Sequence, residues 1–179
     1  MNADSAHKSN AAHKDNAAHE NNAAHKSRWE IGEVVFVIPF LMGIALHVLL
    51  PIYLLQGILR QALIPVGIVL IITSMCFIIL ARREFARFRQ PTDPGQPTSQ
   101  VITTGVFAIS RNPLYLGAAL LFCGVALMMN TLWTLVTLLV SLIVCHYVLI
   151  IPEENYLAAK FGEEYKAYTA TVRRWLGRK

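Results

Sequence analysis

The sequence predicts an all-α membrane protein, with four transmembrane helices in two hairpins and a C-terminal helix that is cytoplasmic or interfacial. Three observations predict it. Hydrophobic residues make up 55% of the 179-residue chain, and the mean hydropathy is +0.46, more apolar than soluble domains usually are. The apolar residues gather into four runs, each near the roughly 20 residues that a helix needs to cross about 30 Å of hydrocarbon. Charge is kept out of those runs, and no lysine at all occurs between Arg28 and Lys160.

Residues 1–28 form a polar tail ahead of a membrane domain spanning 29–179. In the tail AHKSNA, AHKDNA, AHENNA and AHKSR repeat, so His7, His13, His19 and His25 recur at every sixth position. On a helix six residues advance about 600°, which would spread the imidazoles around the axis. With no core-forming residues, the tail is expected to be disordered. A flexible tail can still gather imidazoles around nickel or copper. That keeps a second class of function open, a non-catalytic membrane protein with a metal-binding histidine tail. No cleavable signal peptide is evident, because the first 28 residues are polar and the first apolar run is long enough to span.

The spans are expected at about 34–55, 62–81, 114–130 and 132–151. The first two are separated by Gln56–Gln61 and the last two by about Thr131, so each pair is a tight antiparallel hairpin. The one long connection, 82–112, contains RQPTDPGQPTSQ, whose prolines and glycine exclude a regular element. It carries Arg82, Arg83, Arg87, Arg89 and Arg111, and the C-terminal segment is also basic, while the opposite side has Arg60 alone. The positive-inside rule therefore places both termini in the cytoplasm, with the bacterial inner membrane as the expected location. The net charge of +5 reads as a membrane-surface feature and not as a nucleic-acid footprint, since the basic residues flank apolar runs. Cys76, Cys123 and Cys145 lie inside apolar runs without ligand spacing and read as small core residues, so no metal site is expected in this domain.

Beyond the fourth span, Leu157, Phe161, Tyr165, Tyr168, Val172 and Trp175 follow one another at gaps of 4, 4, 3, 4 and 3. That is a single apolar and aromatic stripe on a helix too polar to span, lying on the bilayer surface or folding back over the bundle, with Gly162 as a bend.

Two polar clusters stand at the expected cytoplasmic face. Arg111-Asn112-Pro113 begins the third span. Asn112 can cap the helix, Pro113 suits its first position, and Arg111 adds charge to the positive helix end, making an anion-binding corner. Glu153-Glu154 follows Pro152 at the end of the fourth span. An acidic pair at a helix C-terminus opposes the dipole and needs a cation or a ligand, unless the two acids open the next helix in solvent. If the spans are neighbours, the two clusters can hold a zwitterion. His146 lies seven residues before Glu153, on nearly the same helix face. It is either a functional group or a histidine bonded to a neighbouring helix. His47 is expected to satisfy carbonyls freed by Pro51.

The segment TTGVFAISRNPLYLG, followed by PEENYLAAKFGEEYKAYTATVRRW, resembles the signature of isoprenylcysteine carboxyl methyltransferases and related phospholipid methyltransferases, which are integral membrane enzymes that use S-adenosylmethionine. The resemblance covers about 101–175. It is strongest at Gly105, Arg111, Pro113, Tyr115, Gly117, Glu153, Glu154, Leu157, Phe161, Gly162, Tyr165 and Tyr168. It implies a cytoplasmic cofactor pocket built from Val101, Ile102, Phe107, Asn112, Tyr115, Gly117 and Glu153, with Arg111, Glu154 and His146 as candidate catalytic groups. Asn112 stands where the family commonly has histidine.

The implied reaction is methyl transfer to a membrane-embedded or hydrophobic acceptor, either a carboxylate or a phospholipid or small amine. A carboxylate needs no base, whereas an amine, thiol or phenol would call on Glu154 or His146. Eukaryotic prenylcysteine enzymes resemble one another in an arginine four residues before the position of Glu153, and here that residue is Leu149. With that difference, a lipid or small hydrophobic acceptor entering from the bilayer fits as well as a prenylcysteine carboxylate.

Overall fold

The computed structural model describes residues 34–90 and 98–179. The histidine-repeat tail and the middle of the proline-rich connection lie outside the described residues. Among the described residues the chain is all helical, with no strand and two isolated antiparallel bridges. Helix α1 covers Val34–Leu49, α2 Leu59–Arg87, α3 Pro113–Met128 and α4 Leu132–Val144. A π-helical turn, Cys145–Ile150, joins α4 to α5, Ile151–Phe161, and α6 covers Glu163–Thr171. Leu59–Arg87 and Leu132–Phe161 are long and apolar enough to cross a membrane, while α1 and α3 are shorter apolar helices.

Several boundaries depart from the apolar runs. Helix α1 stops at Leu49, not near residue 55, because Pro51 lacks an N–H and disfavours helical backbone in the residue before it. Helix α2 starts earlier and runs past the apolar stretch, so Arg82, Arg83 and Arg87 are exposed on its last turns. The C-terminal stripe is not one helix. Gly162, at φ 52°, separates α5 from α6, and α6 ends at Thr171.

Small residues set the helix packing. Gly67, Ser74 and Ala81 are buried at intervals of seven along α2, and Gly117 and Gly124 face them from α3. A Cβ on Gly67 would lie 2.7 Å from the Gly124 carbonyl oxygen, and Ser74 Oγ donates to the Gly117 carbonyl at 2.7 Å. Such residues let backbones approach closely, which is how apolar helices associate where burial alone gives little drive. Gly43 of α1 meets Thr134 and Thr137 of α4 in the same way.

One end of the bundle is closed by Asn130, buried and in left-handed backbone at φ 54°. Its Oδ1 accepts from the backbone N–H groups of Leu54 and Leu55 at 3.1 and 3.0 Å, and its Nδ2 donates to the Leu55 carbonyl at 2.8 Å. The helix-end carbonyl of Leu50 is satisfied by Trp133 Nε1 at 2.7 Å. His47 does not take that role: its Nδ1 is without a partner among the described residues, and its ring sits edge-on to Tyr53.

At the other end the long connection folds inward. Ile102, Val106 and Phe107 pack against Ala81 of α2. The C-terminal segment covers this loop, with Tyr165, Tyr168 and Val172 forming a cluster that takes in Val101, Leu157 and Phe161. Trp175 leaves that cluster and packs on Val35, Cys145, Leu149 and Ile150. The apolar stripe therefore folds back over the helix ends, divided between two contacts.

Candidate functional site

The turn before α3 is built from Ser110, Arg111 and Asn112. Buried Ser110 accepts from the Asn112 backbone N–H at 3.1 Å, which fixes the chain direction just before Pro113 opens the helix. Asn112 holds the N-cap position, but its side chain does not cap. Its Nδ2 instead donates to the carbonyl of Arg174 at 3.1 Å, tying the helix start to the C-terminal segment.

Glu153 and Glu154 are not at a helix C-terminus. The π turn carries the helix through them, so they lie within Leu132–Phe161, beyond the apolar run that ends at Ile151. Terminal dipole repulsion is therefore absent, since it falls off beyond the last turn. Side chains supply the compensating charge. Glu154 Oε1 is 3.0 Å from Arg111 Nη1, and Arg174 approaches the same carboxylate bidentately, Nε to Oε1 at 3.0 Å and Nη2 to Oε2 at 2.6 Å. Arg111 and Glu154 side chains are only 11% and 16% exposed. The expected free anion-binding corner is thus already occupied by an internal carboxylate. Charged, bidentate pairs of this kind are strong and directional.

Glu153 is left facing a partly open cleft. The long connection contributes Val101, Ile102 and Phe107 to its lining, the turn before α3 contributes Arg111 and Asn112, and α5 contributes Glu153, Glu154 and Leu157. Tyr165 and Tyr168 close it from α6, and the Tyr168 hydroxyl donates to the Phe107 carbonyl at 2.7 Å. An adjoining cavity of about 310 Å³ shares Phe107, Arg111, Asn112 and Glu153 and extends to Tyr115. The Tyr115 hydroxyl donates to Glu153 Oε2 at 3.3 Å.

Two residues expected at the site stand apart from these cavities. Gly117 is at the α2–α3 contact, where its missing Cβ makes room for Ile78. His146 lines a separate open groove of about 940 Å³ with Leu116, Ala119, Leu142, Ile143, Tyr147 and Trp175. The π turn is the reason: each of its turns takes more residues than an α turn, so seven residues no longer bring His146 onto the face of Glu153.

The electrostatics distinguish the two glutamates. Surrounding protein withdraws bulk water from Glu153, which keeps an accessible face in the cleft, and pushes its carboxyl up to about 7. The Tyr115 hydrogen bond opposes this, and neighbouring Glu154 adds to it. Burial likewise raises the Tyr165 and Tyr168 hydroxyls above their ordinary range, with Arg111 opposing in both. The hydrogen bonds to Glu154 raise Arg174 further, keeping it charged. One carboxylate is therefore paired twice over, and the other lacks a cationic partner among the described residues in a partly apolar cleft, which suits a ligand carrying positive charge beside an aromatic or apolar body.

Arg174, Tyr165 and Tyr168 were not among the expected site residues. The tyrosines are visible in the sequence as part of the stripe, but nothing in its spacing turns them toward Phe107. Arg174 is indistinguishable in sequence from Arg173 beside it, which is exposed.

A family model described as phospholipid methyltransferase matches residues 62–164. A protein of Haemophilus influenzae described as uncharacterized is 33% identical over 63 residues, which amount to 35% of this chain and the whole of that protein. No solved structure matches the chain.

Proposed function

This chain belongs to the phospholipid methyltransferase family, and from that premise we propose that it transfers a methyl group from S-adenosylmethionine to a hydrophobic acceptor held in the bilayer. The observation that carries the reading is the pairing pattern in the cleft. Glu154 is neutralised by Arg111 and Arg174, while among the described residues Glu153 meets only the Tyr115 hydroxyl.

The residues present suit the cofactor. Glu153 would take a cationic group, Asn112 and Gln100 offer amides, and Phe107, Val101, Ile102 and Leu157 offer apolar contact. When bound, the sulfonium supplies an already activated methyl group, so the protein needs chiefly to align donor and acceptor and to exclude water. The apolar walls contributed by Ile102 and Phe107, both buried, serve the second task.

The acceptor reading follows from Leu149. It is 4% exposed within an apolar cluster, so among the described residues no cation stands there for a carboxylate, and Arg111 and Arg174 are committed to Glu154. A lipid-borne acceptor is therefore favoured over a prenylcysteine carboxylate. In this reading the four spans are α1, α2, α3 and α4 with its extension as far as Ile151, so Glu153 stands outside the hydrocarbon, and the cleft lies on the cytoplasmic side with the arginines of 82–111 and the C-terminus. Isothermal titration of the purified protein with S-adenosylhomocysteine, with nickel and copper titrated separately, tests it. Binding of the homocysteine product is expected. No such binding, with tight uptake of metal by the histidine tail, would overturn it in favour of a metal-binding membrane protein.

A further inference from the structure

The last eight residues do more than end the chain. Past α6 they turn back as a strap, with the Arg173 N–H donating to the Gly177 carbonyl at 2.9 Å and Val172 bridging Arg178. The strap is fastened along the turn that precedes α3. The Gly177 N–H donates to the Ile109 carbonyl at 2.7 Å, the Arg111 N–H donates to the Arg173 carbonyl at 3.2 Å, and Asn112 Nδ2 donates to the Arg174 carbonyl at 3.1 Å. Trp175 anchors its far side on the apolar cluster around Cys145 and Leu149. Arg174 is thereby held at the backbone by the α3 turn and at the side chain by Glu154 of α5.

We propose that Arg174 is a positioning residue of the cleft: by occupying both oxygens of Glu154 it fixes Arg111 at the wall and leaves Glu153 open to a cationic ligand group. The inference rests on the cofactor reading above and adds a residue that reading does not require. Four charged groups face one another here: Arg111 before α3, Glu153 and Glu154 on α5, and Arg174 on the strap, with the titratable hydroxyls of Tyr115 from α3 and Tyr165 from α6 beside them. Two arginines and two carboxylates balance in charge, so the arrangement decides what a ligand meets. With Arg174 in place both cations lie on Glu154. Without it, Arg111 is, among the described residues, the single cation for two adjacent carboxylates. It is then free to swing between them and to cover Glu153, while Glu154 loses its bidentate partner.

The test is titration of the full chain with S-adenosylhomocysteine, comparing Arg174→Ala, Arg174→Lys, Glu154→Gln, the double variant Glu154→Gln/Arg174→Ala, and Arg178→Ala. Arg178 serves as the control, because it touches the same strap through the Ala108 carbonyl at 3.4 Å and faces no carboxylate of the cleft. Arg174→Ala is expected to weaken binding by about tenfold or more, as loss of a bidentate charged pair does, with Arg174→Lys intermediate and Arg178→Ala unchanged. Against Glu154→Gln, removing Arg174 as well should cost no more than about twofold further, the coupling expected of residues that act as one unit.

Full-strength binding by Arg174→Ala would overturn the inference. So would an undiminished further loss in the Glu154→Gln background, since Arg174 would then act elsewhere. Should Arg174→Ala fail to unfold cooperatively by circular dichroism, Arg174→Lys decides, and unweakened binding by it overturns the proposal. Absence of binding by the unaltered chain would remove the methyltransferase reading and this inference with it.

Discussion

On the proposed reading Glu153 receives the ligand's cationic group, because among the described residues it is the cleft carboxylate without a cationic partner. Its carboxyl is raised from an ordinary 4.5 to about 7, with desolvation as the chief cause. The folded chain therefore holds a proton that the unfolded chain has released between those values. Stability of the ligand-free protein should fall as pH rises through that window, because there the native state binds more protons. Thermal unfolding followed from about pH 5 to about pH 8 should show this slope, and Glu153→Gln should flatten it. Ligand affinity should run the opposite way. A cationic group prefers the ionised carboxylate, so S-adenosylhomocysteine should bind more tightly as pH rises through about 7 in the unaltered chain and not in Glu153→Gln. A slope unchanged by the substitution would reassign the titrating group. Glu154, adjacent in sequence, is a poor candidate for a base because both its oxygens are engaged by arginines.

Elements were legible in the sequence to different degrees, for physical reasons. Apolar runs located α1 to α4, since hydrocarbon-length stretches leave little else for the chain to do. Their ends were less legible: Pro51 stops α1 early, and α2 continues through Arg87 because arginine is a good helix former whose charge reaches water from the helix surface. The π turn at 145–150 has no sequence signal, and it separates His146 from Glu153. Most of the cleft lining came from the motif-bearing segments, whereas Arg174 lies on a strap that the helical spacing through Val172 and Trp175 describes as helix and that the chain forms as a turn beyond Thr171. Gly67 and Gly124 supply the test at this scale. Gly124→Val places a Cβ 2.8 Å from the Gly67 carbonyl oxygen, against backbone that cannot move aside cheaply. It should destabilise the protein by about 1–3 kcal/mol as overpacking does, seen as a lower unfolding midpoint in detergent. An unchanged midpoint would mean that α2 and α3 do not meet at these glycines.

The molecule as a whole places different properties at its two ends. One end is closed by Asn130 and Trp133, which clamp the two helix connections together. The other gathers the arginines, the folded-back α5–α6 segment and the cleft. Between them the helices expose broad apolar surfaces, as on Val48, Leu49, Val69 and Leu139. On the proposed reading an acceptor dissolved in the bilayer approaches along these surfaces and receives a methyl group at the cleft. Membranes containing the chain should be incubated with S-adenosylmethionine labelled in its methyl group, and the label followed into lipid, protein and small-molecule fractions. Label is expected in the lipid-extractable fraction for the unaltered chain, and background for Glu153→Ala. Label in no fraction, or equal labelling by Glu153→Ala, would contradict that reading.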